Sequence, residues 1–470
     1  MILQNLRYVF LLSIASCTTN AVAQNDQVSL EARYDRAIAA GYKALFLCSA
    51  IANAEAFGVL RTPESVHEWE LTGTPPFIDH IIRSLPYQIV RPDNREIGHV
   101  QVRWSDNMPD RIAVYKGRDA GCSILPIGAP IEGNQWRTSA SEVSIGSSDQ
   151  SIDSDIKTPN DKLRVVFDKA FGENFGLGSR TSAILVMKDG RVIGESYAEG
   201  FHPNTPQRTW SVAKSIASTL VGAATLSREH SVSDPINITY WRRGGVFDLR
   251  QDITIDHALR MASGRYSDTP GNRTDPLYWG GSTVDETVLH WPQIHRPGEV
   301  FRYANNDTLL AIKAVKPWLD FYPADEFFAK LGMTHTVAET DWNGDYVLSS
   351  QAWTTARDLA KLGQLYLQNG IWDGHRVLPE GWRYYVSQPS GPQPRGTSWG
   401  YGAGWWTFRR PTGNAFDGVP DDAIAARGNR GQYLVIVPSQ NLVLVRRGED
   451  MFGKSFDIAA FTKAILEAIH

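Results

Sequence analysis

Residues Trp210 to Gly222 read WSVAKSIASTLVG, apolar or small on nearly every face, with Val212, Ile216, Leu220 and Val221 set among alanines and serines. A helix of that composition is buried rather than amphipathic. It opens after Pro206 and Thr209, so Ser211 and Lys214 fall on one face of its first turn. Free backbone N–H groups and the positive end of the dipole favour a developing oxyanion there. The surrounding face offers Lys214 no carboxylate. Partial desolvation beside positive potential lowers an amine's pKa, so the neutral amine can take the serine proton. Taken alone the spacing is weak, since a chain of this size contains about one such Ser and Lys pair by chance. A lysine merely snorkelling from a helix end is the competing reading.

The flanks supply a frame for that helix. Asp161 to Phe171 has helical spacing, and two strands follow, Ser182 to Met187 and Val192 to Tyr197, around Lys188-Asp189-Gly190. A second hairpin joins Gln432 to Val437 with Leu442 to Arg446 through Pro438-Ser439-Gln440, and Phe456 to Ile469 is helical by spacing. A lone hairpin is marginal in water, so the two need a common sheet. Between them the signals are mainly helical, notably Thr354 to Asn369, with Thr354 or Thr355 as cap, Asp358 in the first turn and Gly370 as the stop. The expected architecture is α+β: an antiparallel sheet built from about 180–205 and 425–447, flanked by helices, with a helical insertion between.

Tyr303-Ala304-Asn305 lies in FRYANNDTLLA, after Pro297-Gly298 and before the helical run Thr308 to Val315. A loop just ahead of a helix can present a phenol and an amide to a cleft. The phenol can relay the serine proton, and the amide can hydrogen-bond Lys214 or a substrate carbonyl. Plain turn chemistry is the alternative.

SVAK followed by YAN resembles the first two motifs, SxxK and YxN, of the serine β-lactamase and penicillin-binding family. The family's third motif, a strand bearing KTG or HTG, is replaced by Ala426-Arg427-Gly428, followed by Asn429-Arg430-Gly431-Gln432. This Ala-x-Gly form is similar to the branch of 6-aminohexanoate-dimer hydrolases and related esterases. The resemblance covers roughly Asp161 to the C-terminus and implies a class C-like hydrolase, since no ExxLN-like glutamate loop is present. It implies Ser211 as nucleophile, Lys214 as base, Tyr303 as second acid/base and Asn305 as the group orienting Lys214 and substrate. It also implies an oxyanion donor in the amide of Asn429, just after Gly428, opposite the amide of Ser211. The missing Lys or His counts against β-lactam hydrolysis; Arg427 either replaces that charge or is a solvated arginine on an edge strand. Cleavage of an amide or ester in a small molecule is thus the expected activity. β-Lactamase or D-amino-acid peptidase activity, and a non-catalytic sensor or binding module, are the alternatives.

Two competing motifs fail. Gly396-Thr397-Ser398-Trp399-Gly400 satisfies GxSxG, but no helix follows and the only later histidine is His470. Ser398 is expected instead to line the cleft, with Trp399, Trp405 and Trp406 nearby. No metal or cofactor is expected: none of the 11 histidines forms HExxH, and a proline separates His290 from His295. The net charge of −4 over 470 residues gives no basic field for nucleic acid.

At the N-terminus Arg7, the apolar run Tyr8 to Ala15 and Ala21-Val22-Ala23 have the layout of a cleavable signal covering residues 1–23. Ile14-Ala15-Ser16-Cys17 offers a rival, a lipobox that would leave a lipid anchor on Cys17. No later stretch is apolar for long enough to span a bilayer. Residues 24–150 are expected to form an N-terminal extension without recognisable chemistry, helical from 28 to about 57, with strands around Val100 and Val114, and a Ser- and Asp-rich linker from Thr138 to about Lys157 spans its boundary with the next unit. The hydrolase domain is expected over 151–470, and its expected setting, after signal cleavage, is periplasmic or secreted. Export permits Cys48 and Cys122 to pair, two buried free thiols being the other reading. The family resemblance implies the disulfide, because related proteins carry cysteines near the start and near a GCT-like turn.

Overall fold

The computed structural model describes residues 3–92, 96–132, 156–227, 230–242, 248–266 and 274–469, with side chains from Asp26 onward apart from Asn414. The expected linker falls almost entirely outside these residues. Both hairpins enter one antiparallel sheet of seven strands, in the order Gly400–Tyr401, Trp406–Thr407, Ile424–Gly428, Gln432–Val437, Leu442–Gly448, Thr181–Lys188, Arg191–Tyr197. The two ends of the region meet where Leu442 pairs with Lys188 and Leu444 with Val186. Asp189 and Gly190 both take positive φ, as a two-residue hairpin turn requires. That turn is tied to the second hairpin by Asn441 Nδ2 donating to Asp189 Oδ1 at 3.1 Å.

Period-two alternation divides the sheet between two cores. Leu185, Leu434, Ile436, Val443 and Val445 face the large core, whereas Ile184, Val186, Val435, Leu442 and Leu444 face a smaller one. The smaller core is closed by the helices Asp161–Phe171 and Ile458–Ile469. The first is capped by Asn160, which accepts from Leu163 N, and buries Leu163, Val166, Phe167 and Ala170. On the opposite face lies the helix Ala356–Leu367, capped by Thr355. Its Gly363 sits so close to the sheet that a Cβ would approach Val443 Cγ1 to 2.6 Å.

Behind this face runs the helix Ala213–Leu226, in which every residue from Ala213 to Ala224 is buried. Its serines are satisfied through their hydroxyls: Ser215 Oγ donates to Gly404 O at 2.7 Å and Ser218 Oγ to Ala403 O at 2.8 Å. Small polar residues therefore let loop backbone approach a helix that would otherwise need apolar neighbours.

The N-terminal extension is one long helix, Leu3–Ala56, laid against a four-stranded sheet of Tyr87–Val90, His99–Val102, Arg111–Tyr115 and Cys122–Ile124. Asp26–Ala56 is long and apolar enough to cross a membrane, but 94% of its apolar window is buried inside the protein. Its residues from Ile38 to Ala52 belong to the same core as the helix Ala213–Leu226. The extension thus shares one core with the region that follows it. Cys48 and Cys122 form a disulfide, with Cα atoms 6.1 Å apart. Beside it the buried Glu339 carboxylate accepts from Ser49 Oγ, Cys122 N and Trp353 Nε1, joining the long helix, the small sheet and the main body.

Candidate active site

Ser211 lies one step earlier than expected. It occupies a tight 3₁₀ turn, Trp210–Val212, ahead of the α-helix that starts at Ala213. Trp210 is left-handed there, with φ +48°. For a bulky residue that conformation costs on the order of 1–3 kcal/mol and persists only where the surroundings fix it. The Arg208 guanidinium lies 4.3 Å from the Trp210 ring, and Phe46 of the long helix packs against it at 5.8 Å.

Lys214 is buried, and its Nζ meets three oxygens: Asn305 Oδ1 at 2.6 Å, Ser349 O at 2.7 Å and Ser211 Oγ at 3.0 Å. No carboxylate among the described residues pairs with it. Burial alone drives its pKa from 10.5 down to about 7. The three contacts suit the neutral amine. Its two N–H groups satisfy the Asn305 and Ser349 oxygens, which can only accept, and its lone pair is left for the Ser211 hydroxyl proton. Asn305 is oriented by its own Nδ2, which donates to Thr274 Oγ1 at 2.9 Å.

Tyr303 precedes the helix Asn305–Ala314, so Asn305 is the first residue of a helix rather than part of a loop. The phenol lies beside the Ser211 side chain, and burial pushes its pKa upward, keeping the O–H protonated. Lys214 Nζ lies 5.1 Å from the Tyr303 ring centre. Trp406 at 5.5 Å and Tyr401 at 6.1 Å wall the phenol.

Gly428 ends an interior strand beside the Ser211 turn. A Cβ there would lie 2.3 Å from Thr209 O and 3.2 Å from Ser211 N, so only glycine permits this approach. Asn429 follows in an exposed turn, its Oδ1 accepting from Arg430 N at 3.0 Å. Arg427 departs from the reading as a solvated arginine on an edge strand. Its strand is flanked on both sides, by Trp406–Thr407 and by Gln432–Val437. The guanidinium lies 4.2 Å from the Trp399 ring and 5.1 Å from the Trp406 ring, without a carboxylate partner among the described residues. Burial lowers its pKa.

Ser398 is exposed, Trp399 is buried against Phe408 and Phe416, and Trp405 packs on Tyr366. Of the three tryptophans placed near the cleft, Trp406 alone packs on Tyr303. Sequence reasoning missed Thr274, Tyr278 and Ser349. Ser349 gives Lys214 a backbone carbonyl, which any residue carries, and its hydroxyl is paired with Tyr278 Oη at 2.7 Å.

A sequence model of the family described as β-lactamase matches residues 168–456, more than half of the chain. The chain belongs to the β-lactamase family. Similar proteins within reach of this β-lactamase-family hydrolase include the 6-aminohexanoate-dimer hydrolase of Paenarthrobacter ureafaciens. That protein is 27% identical over 301 residues, covering 57% of this chain and 72% of the relative. Among solved structures, a Bacillus anthracis protein provisionally named a 6-aminohexanoate-dimer hydrolase matches with TM-score 0.52 and 19% identity, over 65% of this chain and 81% of its own. A penicillin-binding protein homologue from Caulobacter crescentus matches with TM-score 0.51 and 14% identity, over 66% and 98%. These two likenesses establish the β-lactamase-like fold.

Proposed function

We propose that this protein is an exported serine hydrolase that cleaves an amide or ester bond of a small molecule through an acyl-enzyme on Ser211. The observation that carries this reading is the set of contacts around Lys214 Nζ: a buried amine with two acceptors to satisfy and its remaining valence turned to Ser211 Oγ. In acylation Ser211 Oγ attacks the carbonyl carbon while its proton passes to neutral Lys214. The oxyanion forms between the amides of Ser211 and Asn429. Tyr303 gives its phenolic proton to the departing nitrogen or oxygen and is reprotonated from Lys214. Water then attacks the acyl-enzyme, losing its proton to the same pair, and the carboxylic acid leaves.

The Arg427 guanidinium, stacked on Trp399 and Trp406, lies beside the ring that packs on Tyr303. It would recognise a carboxylate on the substrate, as a linear ω-amino-acid oligomer carries. β-Lactams are poorer fits because the Lys or His of the third motif is replaced by Ala426. A parallel screen of linear amides, short esters and β-lactams, each run with wild type and Ser211→Ala, tests the reading. Turnover of amides or esters that vanishes in Ser211→Ala supports it, and turnover that survives the substitution contradicts it.

A further inference from the structure

The two turns that carry the proposed oxyanion amides touch each other, and each is braced from behind by the N-terminal extension. Arg430 follows Asn429 in the left-handed region, with φ +57°. Its side chain is buried and reaches across to the segment after the short helix Pro63–Glu68, donating to Glu70 O at 2.7 Å, to Trp69 O at 3.0 Å and to Thr72 O. The same guanidinium pairs with Glu449 at 2.9 Å and donates to Asp450 O at 3.2 Å, while Asp450 N returns a bond to Arg430 O at 3.1 Å. The acceptor segment is itself held: Glu70 is paired with Arg61 at 2.8 Å, and Tyr42 Oη donates to Glu70 O at 3.4 Å.

The Ser211 turn is braced by the same helix. Tyr42 and Phe46 stack at 4.2 Å and both pack on Trp210, the strained residue before Ser211. Arg208 is sandwiched between Phe46 at 4.7 Å and Trp210 at 4.3 Å. Residues 42–72, which lie outside the 168–456 span of the family match, therefore help to hold both turns, alongside Glu449, Asp450 and Arg208 within it.

We propose that the N-terminal extension is a positioning part of the catalytic machinery, fixing the amides of Ser211 and Asn429 through Tyr42 and Phe46 on one side and Arg430 on the other. The inference rests on the oxyanion reading above. Preorganised donors act by being aimed before charge develops, so loosening either turn reduces transition-state binding more than substrate binding.

The test compares hydrolysis of 4-nitrophenyl butyrate with that of its thiono analogue, whose larger sulfur fits an oxyanion site poorly. Rates are normalised to active sites titrated with a fluorophosphonate, so a loss of folded protein does not register. Arg430→Lys keeps the charge beside Glu449 but cannot span the carbonyls with a fork of donors. Phe46→Leu opens space under Trp210. Each variant is expected to lower kcat about 10- to 100-fold, short of the ~10²–10³ for a whole donor, with KM little changed and the oxo-to-thiono ratio reduced. Val102→Ala, equally buried in the small sheet, should lower the melting temperature and leave the ratio intact. A high wild-type ratio that stays unchanged in both variants overturns the inference alone. A wild-type ratio near one removes the oxyanion reading and the inference with it.

Discussion

Replacing Asn305 by Asp places a carboxylate where the amide oxygen now stands, 2.6 Å from Lys214 Nζ. In the native site burial brings the amine to about 7, so about half of it is neutral at pH 7, against about one part in 3,000 at its ordinary value. An opposite charge at this range raises an amine's pKa by about 1–3 units, less whatever the new carboxylate loses by its own burial. A rise of 2 units leaves about 1% of Lys214 neutral at pH 7, and acylation there should fall about 50-fold. The sign is fixed by which form reacts. Activity belongs to the deprotonated amine, so it is present above the pKa and lost as pH falls through it. Wild type should therefore lose acylation below about pH 7, and Asn305→Asp should recover about half of its rate at pH 9 and most of it by about pH 10. Pre-steady-state acylation by 4-nitrophenyl butyrate from pH 5 to 10 reads both midpoints. Coupling to Tyr303 makes each midpoint a property of the pair, so the shift between the two enzymes is the quantity to compare. Coincident midpoints, or a loss that high pH does not restore, would refute neutral Lys214 as the base.

Tyr303→Phe keeps the ring between Lys214 and Trp406 and removes only the hydroxyl, so amide turnover should fall on the order of 10²–10⁴-fold. An activated ester should suffer less, and equal losses would confine Tyr303 to serine activation. Arg427→Gln should raise KM for a carboxylate-bearing amide while leaving KM for its methyl ester alone; the two constants moving together would count against carboxylate recognition. The Cys48–Cys122 bond closes a loop with sequence separation 74, so a double Cys→Ala variant should lose about 4 kcal/mol by chain entropy. Urea melts check the loss, and non-reducing peptide maps of exported protein should contain the cross-link rather than two alkylated thiols.

The hairpins and their helices were legible because each carries its own local signal: alternating apolar residues, a turn allowing positive φ, a threonine or asparagine cap. Lys188-Asp189-Gly190 and Thr355 behave as such signals demand. The Ser211 and Lys214 pair was legible for the same reason, since i and i+3 meet on any helical turn, 3₁₀ or α. What stayed hidden depends on long-range backbone. Ser349 acts through its carbonyl, Trp210 through a left-handed φ, and Arg430 through carbonyls some 360 positions away in sequence. Such contacts leave no residue-type pattern behind. Arg427 was misread as solvated in one of its two readings because strand order, which decides whether a position is edge or interior, is not written locally. The extension looked like a separate unit for a related reason. Its helix carries small residues throughout, and only the assembled core reveals that Tyr42 and Phe46 pack on Trp210, beside Ser211.

The most direct measurement is to trap the acyl-enzyme. Incubation with a fluorophosphonate, followed by intact mass and peptide mapping, should give one adduct per chain on the peptide containing Ser211, with labelling abolished in Ser211→Ala and slowed in Lys214→Arg, which keeps the charge but cannot be deprotonated at neutral pH. An adduct on Ser398, or labelling of Ser211 that is indifferent to Lys214, would contradict the proposed mechanism.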